Sequence, residues 1–432
     1  MALAVAASGV LAASPEDIEA LHRELSDIRA AYEARVKALE TRIELLEKNT
    51  QQQSAASVPP VTVAPVAQER ANDFNPAISV VLTGTLADFS SNNDARVPGM
   101  MSGGESDPGV EGFSVGESEL NITANIDDRW LGNLTLAVSD TSESTEVGVE
   151  EAWFQSLALP YDLTFRGGRF FSAVGYRNEF HAHADDFVDR SLAYRMFLGG
   201  QYLDDGVQLR WLAPTDPFLE FGAEYLRGDN FPAAGAGHQG RGVWDVFAHA
   251  GGDAGISHSW KAGISWMAAR AKDRDSVDGS QFNGDVRLAI ADAVWKWAPN
   301  GNSYRHSAKL EGALFWQNQD GRFRPAGGGS LPYDEDQSGG YVNAVYKFMP
   351  QWRTGLRYSW LNAGNPGAAF DGTTLDPLGE SPDTWSLMVD WSRSEFSRLR
   401  LQYSRDNSDV RAVDRLYLQY IYSMGAHGAH PF

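Results

Sequence analysis

The chain has 432 residues, no cysteine, 43 glycines and 57 acidic against 36 basic residues, for a formal net charge of -21; 43% of it is apolar and 11% aromatic. The lack of cysteine excludes disulfides, thiolate metal sites and cysteine nucleophiles, and the acidic balance would repel a phosphate backbone, which excludes nucleic acid as a partner. A helical span needs roughly 20 consecutive apolar residues, and no such run follows the first dozen positions. Two classes remain: an acidic soluble protein, or a membrane barrel whose spans are short and alternating.

Residues 1–13, MALAVAASGVLAA, are a short apolar run ending in small residues and read as a truncated secretory signal peptide without its basic leader. Residues 14–48 follow as a helix. Ser14 supplies an N-cap and Pro15 the first turn, and Ile18, Leu21, Leu25, Ile28, Tyr32, Val36, Leu39, Ile43 and Leu46 advance by threes and fours. That seam predicts a coiled coil with a stutter around Tyr32, because so long an apolar stripe stays exposed unless helices associate. Residues 49–73, rich in Gln, Ser, Ala, Val and Pro, read as a semi-extended linker.

From residue 74 to 432 the period changes to two. Leu120, Ile122, Ala124 and Ile126 alternate with Glu119, Asn121, Thr123 and Asn125. Leu356, Tyr358 and Trp360 alternate with Arg353, Arg357 and Ser359, and Leu399, Leu401 and Tyr403 with Arg398, Arg400, Gln402 and Ser404. Each such segment is a strand with one apolar and one wet face. About 16 are expected, an even number as in bacterial barrels. They begin near Ile78, Gly116, Trp130, Thr145, Leu163, Asp204, Phe218, Val243, Ser257, Val286, Ser307, Tyr341, Arg353, Thr384, Ser397 and Val413.

Tight connections at 127–129, 160–161, 213–215, 299–302, 350–351 and 395 alternate with long Gly- and Asp-rich ones at 91–111, 175–200, 228–240, 271–283, 318–337 and 362–381. A membrane barrel has this asymmetry, with short periplasmic turns and long external loops. Trp130, Tyr161, Trp211, Trp260, Trp297, Phe348, Trp352 and Phe396 gather beside the short turns as an interfacial girdle. Phe432 ends the chain just beyond the alternating series Leu416, Leu418, Tyr420, Tyr422, in the manner of a signal to the barrel-assembly machinery. The expected fold is therefore an all-β, 16-stranded antiparallel outer-membrane barrel surrounded by lipid, with its α-helical coiled coil in the periplasm.

The connection at 175–200 mixes Arg177, Arg190 and Arg195 with Glu179, Asp185, Asp186 and Asp189, and with five large aromatics. Such a segment is expected to fold into the lumen and set its two signs of charge against each other across a water-filled constriction. Arg210, Arg353, Arg357, Arg398, Arg400, Arg415, Glu119 and Glu150 sit at wet-face positions and are expected to line the pore. A barrel of about 16 strands leaves an aqueous channel, whereas plugged transporters use about 22. No GxSxG and no Ser–His pair at a telling spacing occurs, so no enzymatic activity is expected.

EEAWFQ from Glu150, GGRFF from Gly167 followed by SAVGY, and DFVDRSLAYRMF from Asp186 resemble the fourth strand, fifth strand and constriction loop of the phosphate- and pyrophosphate-type porin family. WKWAPNGN from Trp295, FMPQWR from Phe348 and the tail GAHGAHPF from Gly425 are similar to a group of coiled-coil-bearing proteobacterial outer-membrane proteins often described as zinc-regulated receptors. The resemblance implies a homotrimeric channel for small hydrophilic solutes, and it raises metal-ion uptake as an alternative. No cofactor is expected beyond a transient zinc ion at His181 and His183, which the sequence sets beside Glu179, Asp185 and Asp186. A third alternative is a tether that reaches the cell wall through the coiled coil.

Overall fold

The computed structural model describes residues 76–91, 96–104, 106–140, 145–234, 242–276 and 278–425. The signal, coiled-coil and linker segments and the terminal Phe432 lie outside the described residues. No described helix is long and apolar enough to cross a membrane.

The strands are β1 (Ala77–Phe89), β2 (Gly112–Ser114), β3 (Ser118–Asn125), β4 (Trp130–Asp140), β5 (Thr145–Ser156) and β6 (Leu163–Phe171). A long segment carrying helix α1 (Leu192–Leu198) leads to β7 (Leu203–Leu212), β8 (Phe218–Leu226), β9 (Val243–Ala254), β10 (His258–Asp275), β11 (Gln281–Trp297) and β12 (Ser307–Arg324). The wall is completed by β13 (Leu331–Met349), β14 (Trp352–Asn362), β15 (Asp383–Ser394), β16 (Ser397–Asp406) and β17 (Val413–Gly425). Each strand pairs antiparallel with the next, and β1 closes on β17 from Ser79↔Gly425 to Phe89↔Arg415. Both β2 and β3 pair with β1, so they are two pieces of one stave and the closed barrel has 16.

Alternation sets the two faces. Leu356, Leu399, Leu401, Tyr403 and Leu418 are exposed on the outside, whereas Arg357, Arg400, Gln402 and Ser404 are buried within. On β14, Trp352 and Trp360 both face outward, eight residues or about 27 Å apart at the usual strand rise. With strand tilt this matches the apolar band of about 25 Å that such barrels present to lipid. A second aromatic belt at the far end contains Trp244 against Trp266, 4.7 Å between ring centres, and Tyr358 against Trp385 at 4.2 Å.

Two expectations are corrected here. β11 and β13 begin at Gln281 and Leu331, well before Val286 and Tyr341, so most of the expected loops 271–283 and 318–337 is strand. Above the aromatic belt the outward positions Asp285, Arg287, Asp320, Asp334 and Asp336 are polar, and in sequence that composition imitates a loop. The inner face is also not wet throughout. Inward side chains of β9 to β13, among them Val243, Met267, Phe282, Val286, Leu288, Ile290, Phe315, Phe323, Tyr333 and Tyr341, are 2% exposed or less. They form one apolar core with Val97, Met100, Met101, Leu375 and α1, so this side of the lumen is packed with protein in its outer half.

Candidate functional site

The segment between β6 and β7, residues 172–202, turns inward and crosses the barrel. Its first backbone amides are held by the wall: Ala173 N–H donates to Glu224 Oε1 of β8 at 2.9 Å and Gly175 N–H to Ser265 Oγ of β10 at 3.3 Å. Helix α1 starts where the Ser191 hydroxyl accepts from Tyr194 N–H and stops at Gly199, whose φ of 63° suits glycine. All seven helical residues are buried. Phe197 stacks on Phe315, 5.5 Å between ring centres, over Gly339, where a Cβ would come within 3.0 Å of the Phe197 ring.

Beneath α1 lie the charges. Arg177 donates through Nε to Glu311 Oε1 of β12 at 2.7 Å, contacts Asp185 at 3.1 Å and Asp186 at 3.0 Å, and also bonds Glu311 Oε2. Asp186 additionally holds Lys309 of β12 and Arg353 of β14, the latter at 3.1 Å. Asp189 accepts from Arg357 of β14 and, at 2.7 Å, from Gln402 of β16. Arg398 and Arg400 of β16 donate to the Asp185 carbonyl, and Arg190 pairs with Asp185 at 2.8 Å. Burial alone would raise the Asp186 carboxyl; Lys309, Arg177 and Arg353 outweigh it and hold it well below the usual carboxylate range.

The sequence-derived picture of opposed charges across a water-filled gap is therefore replaced by direct pairing. Glu179, Asp185, Asp186, Asp189, Arg177 and Arg190 are paired with one another or with the wall. Arg195 stands apart from them on α1, donating to the Ser106 carbonyl at 2.7 Å and lying 3.7 Å from Asp406. Arg357, Arg400, Arg415, Glu119 and Glu150 point inward as expected but are covered; Arg400 and Arg415 are only 1% exposed, the first bonding the Asp185 carbonyl and the second Asp406 of β16. Arg210, Arg353 and Arg398 are inward and half-buried.

Lys309, Glu311, Asp390 and Gln402 belong to the same network, Glu151 pairs with His181, and all five were missed in the sequence. The sequence signal for the first four is a charged or amide residue at an inward position, such as Lys309 and Glu311 flanking the outward Leu310; Glu151, next to the inward Glu150, has none, because the β4–β5 register shift turns it in.

Toward the short-turn end the lumen is hollow. One cavity of about 810 Å³ is lined by Arg177, Lys296, Lys309, Lys347 and Arg353 among others. A second, of about 680 Å³, is bounded by Glu119, Glu151, His181, His183 and Arg210.

Here the histidine expectation is corrected. Among the described ion pairs Glu179 holds Arg210 of β7, Asp185 and Asp186 hold Arg177, and none of the three holds a histidine. His181 instead faces Glu119 of β3 at 3.2 Å and Glu150 and Glu151 of β5 at 3.1 and 3.3 Å; His183 lies 2.8 Å from Glu119. Burial lowers the imidazole's affinity for a proton, but Glu119 leads the carboxylates in overcoming it and raises the His181 pKa well above its ordinary value.

The Glu179 tie gives a pH prediction. Burial would raise this carboxyl, yet Arg210 and Arg166 bring it down to about 2, against about 4.3 in an unfolded chain. Its stabilisation is thus fully present above about 4.3 and is lost as pH falls through about 2. Glu179→Gln should cost about 2 kcal/mol at pH 7, less than a fully buried pair because both partners keep some solvent contact. The difference in unfolding midpoint from wild type should be constant between pH 7 and 5 and vanish near pH 2.

Closed antiparallel topology, two aromatic belts and a segment folded through the lumen define a 16-stranded β-barrel of the outer-membrane kind in fold. No protein-family model matches the chain. It is similar to an uncharacterized protein of Aquifex aeolicus (strain VF5), 29% identical over 342 residues that make up 74% of this chain and 70% of that one. Among solved structures it is similar to a loop L8 deletion mutant of OmpT, an outer-membrane protein of Vibrio cholerae, with a TM-score of 0.51 and 13% identity over 81% of this chain and 99% of the other. In-vitro folded OmpT of the same organism gives a TM-score of 0.50 with 12% identity, over 82% and 99%. These likenesses are likenesses of fold.

Proposed function

We propose that the chain is an outer-membrane channel of a Gram-negative bacterium that passes small hydrophilic solutes or ions passively, with conductance limited by residues 172–202. The observation that carries this reading is the set of ties from that one segment to β3, β5, β7, β12, β14 and β16, made by charged groups that a merely external loop would not need inside a barrel. A barrel of about 16 strands has room for an aqueous channel once this segment is removed. Trimeric assembly is part of the proposal.

Single-channel recording in planar bilayers tests it. The wild-type barrel should conduct weakly, and removal of residues 178–189 should raise conductance by about tenfold or more as the lumen clears. Unchanged conductance would sink the proposal, and the absence of any current from either protein would favour a tether between membrane and cell wall.

Metal-ion uptake is a second reading, favoured by the approach of His181 to Glu119 and Glu150. Reversal potentials in graded zinc and potassium salts, with and without His181→Ala, distinguish it.

A further inference from the structure

Most ties between the loop and the wall join an arginine or lysine to a carboxylate, but at β3 and β5 the pattern changes. Glu119, Glu150 and Glu151 are buried, and among the described ion pairs their cationic partners are only His181 and His183. Arg166 of β6 lines the same cavity on the Glu151 side, so the feature that sets this corner apart is geometric: one imidazole reaches all three carboxylates. One ligand atom from each of Glu119, Glu150 and His181 lies within 4.8 Å of the other two, as ligands around a single ion must.

The imidazole is also oriented as metal ligands are. Its Nδ1 faces Glu119 and Glu150, while Nε2 is turned to Glu151 at 3.3 Å, and a second carboxylate on the far ring nitrogen is the usual device that fixes a ligating histidine. His183 braces the other oxygen of Glu119 at 2.8 Å. The 680 Å³ cavity reaches Glu119 and His181, which supplies both a route in and room for a water ligand.

We propose that Glu119, Glu150 and His181 bind a divalent cation that clasps the lumenal segment to strands β3 and β5, with Glu151 and His183 as positioning residues. One imidazole and two carboxylates with a position left to water suit a borderline ion such as zinc or cobalt; magnesium and calcium favour all-oxygen shells. Because two ligands sit on the wall and one on the loop, the bound ion acts as a fastener and holds the channel in its restricted form. This effect goes beyond either transport reading and rests on the loop being the restriction; the binding itself does not.

Cobalt titration of the purified full chain in detergent, followed by visible absorption and by competition with zinc or magnesium, tests the site. The expected result is one high-affinity equivalent displaced by zinc but not by equimolar magnesium. It should be lost in His181→Gln and Glu119→Gln, weakened about tenfold in Glu151→Gln, and retained when His427 and His430 are both replaced by alanine. Heat-modifiable gel mobility reports that each variant has folded, and His249→Gln, another inward histidine beside a glutamate, should bind as wild type does. Binding that persists in His181→Gln, or displacement by magnesium as readily as by zinc, would overturn the proposal. Zinc should also lower the conductance of wild type and leave His181→Gln unchanged. A barrel that binds cobalt but never conducts defeats the channel and spares the site, whereas one that conducts without binding does the reverse.

Discussion

Replacing Arg177 with methionine should destabilise the barrel by about 3–5 kcal/mol, the cost of leaving buried carboxylates without their cation. The guanidinium reaches three acids at once, Glu311 on the wall and Asp185 and Asp186 on its own segment, and all are buried. Lys309 and Arg353 still serve Asp186, but Glu311 keeps only Lys309 at 3.3 Å together with hydroxyl and amide donors. Denaturant unfolding followed by tryptophan fluorescence measures the loss. The double variant Arg177→Met, Glu311→Gln should recover part of it, because the orphaned charge is then gone; additive losses would show that the two side chains do not act as a pair. Single-channel records of Arg177→Met should also become noisy as the segment leaves its seat.

The second large effect is expected at Phe197, which is fully buried between α1 and the wall. Phe197→Ala should cost about 3–5 kcal/mol through lost burial and the cavity left behind, and Phe197→Leu less than about 1.5 kcal/mol because most of the volume is kept. The useful readout is the pairing of stability with conductance. If α1 is a packed closure of the outer lumen, alanine should raise open-channel current while leucine leaves it unchanged. A destabilised barrel with wild-type conductance would make Phe197 a packing residue alone. Gly339→Ala should also be destabilising, but by overpacking, since its methyl would meet the Phe197 ring and the Trp360 carbonyl at 3.0 and 2.7 Å.

Much of the wall was legible from the chain. Inward Gln208 and Arg210 against outward Val207, Leu209 and Trp211, or inward Arg398 and Arg400 against outward Leu399 and Leu401, follow directly from a period of two on a sheet with lipid on one side. The segment 175–200 was also recognisable as unusual, because seven charges among large aromatics serve no purpose on an exposed loop. The errors arose where composition misled: polar outward residues above the lipid band made the ends of β11 and β13 look like loops, and inward Phe282, Phe315 and Phe323 belong to a lumen packed with protein rather than water.

The site's pairings were not legible at all. His181 was placed with its sequence neighbours Glu179, Asp185 and Asp186, but its partners are Glu119, Glu150 and Glu151, brought in by strands on another part of the wall. Arg177 and Glu311 stand 134 positions apart, and Asp189 and Gln402 213. The sequence by itself determined most of which side chains face lipid and which face inward, because in a regular strand that choice depends on the parity of neighbouring residues; the register shift between β4 and β5, where adjacent Glu150 and Glu151 both turn inward, is the exception. Only the closed barrel decided which inward charges meet, because a segment crossing the lumen touches strands from every part of the chain, and which of its ions find a partner depends on ring closure rather than on local spacing.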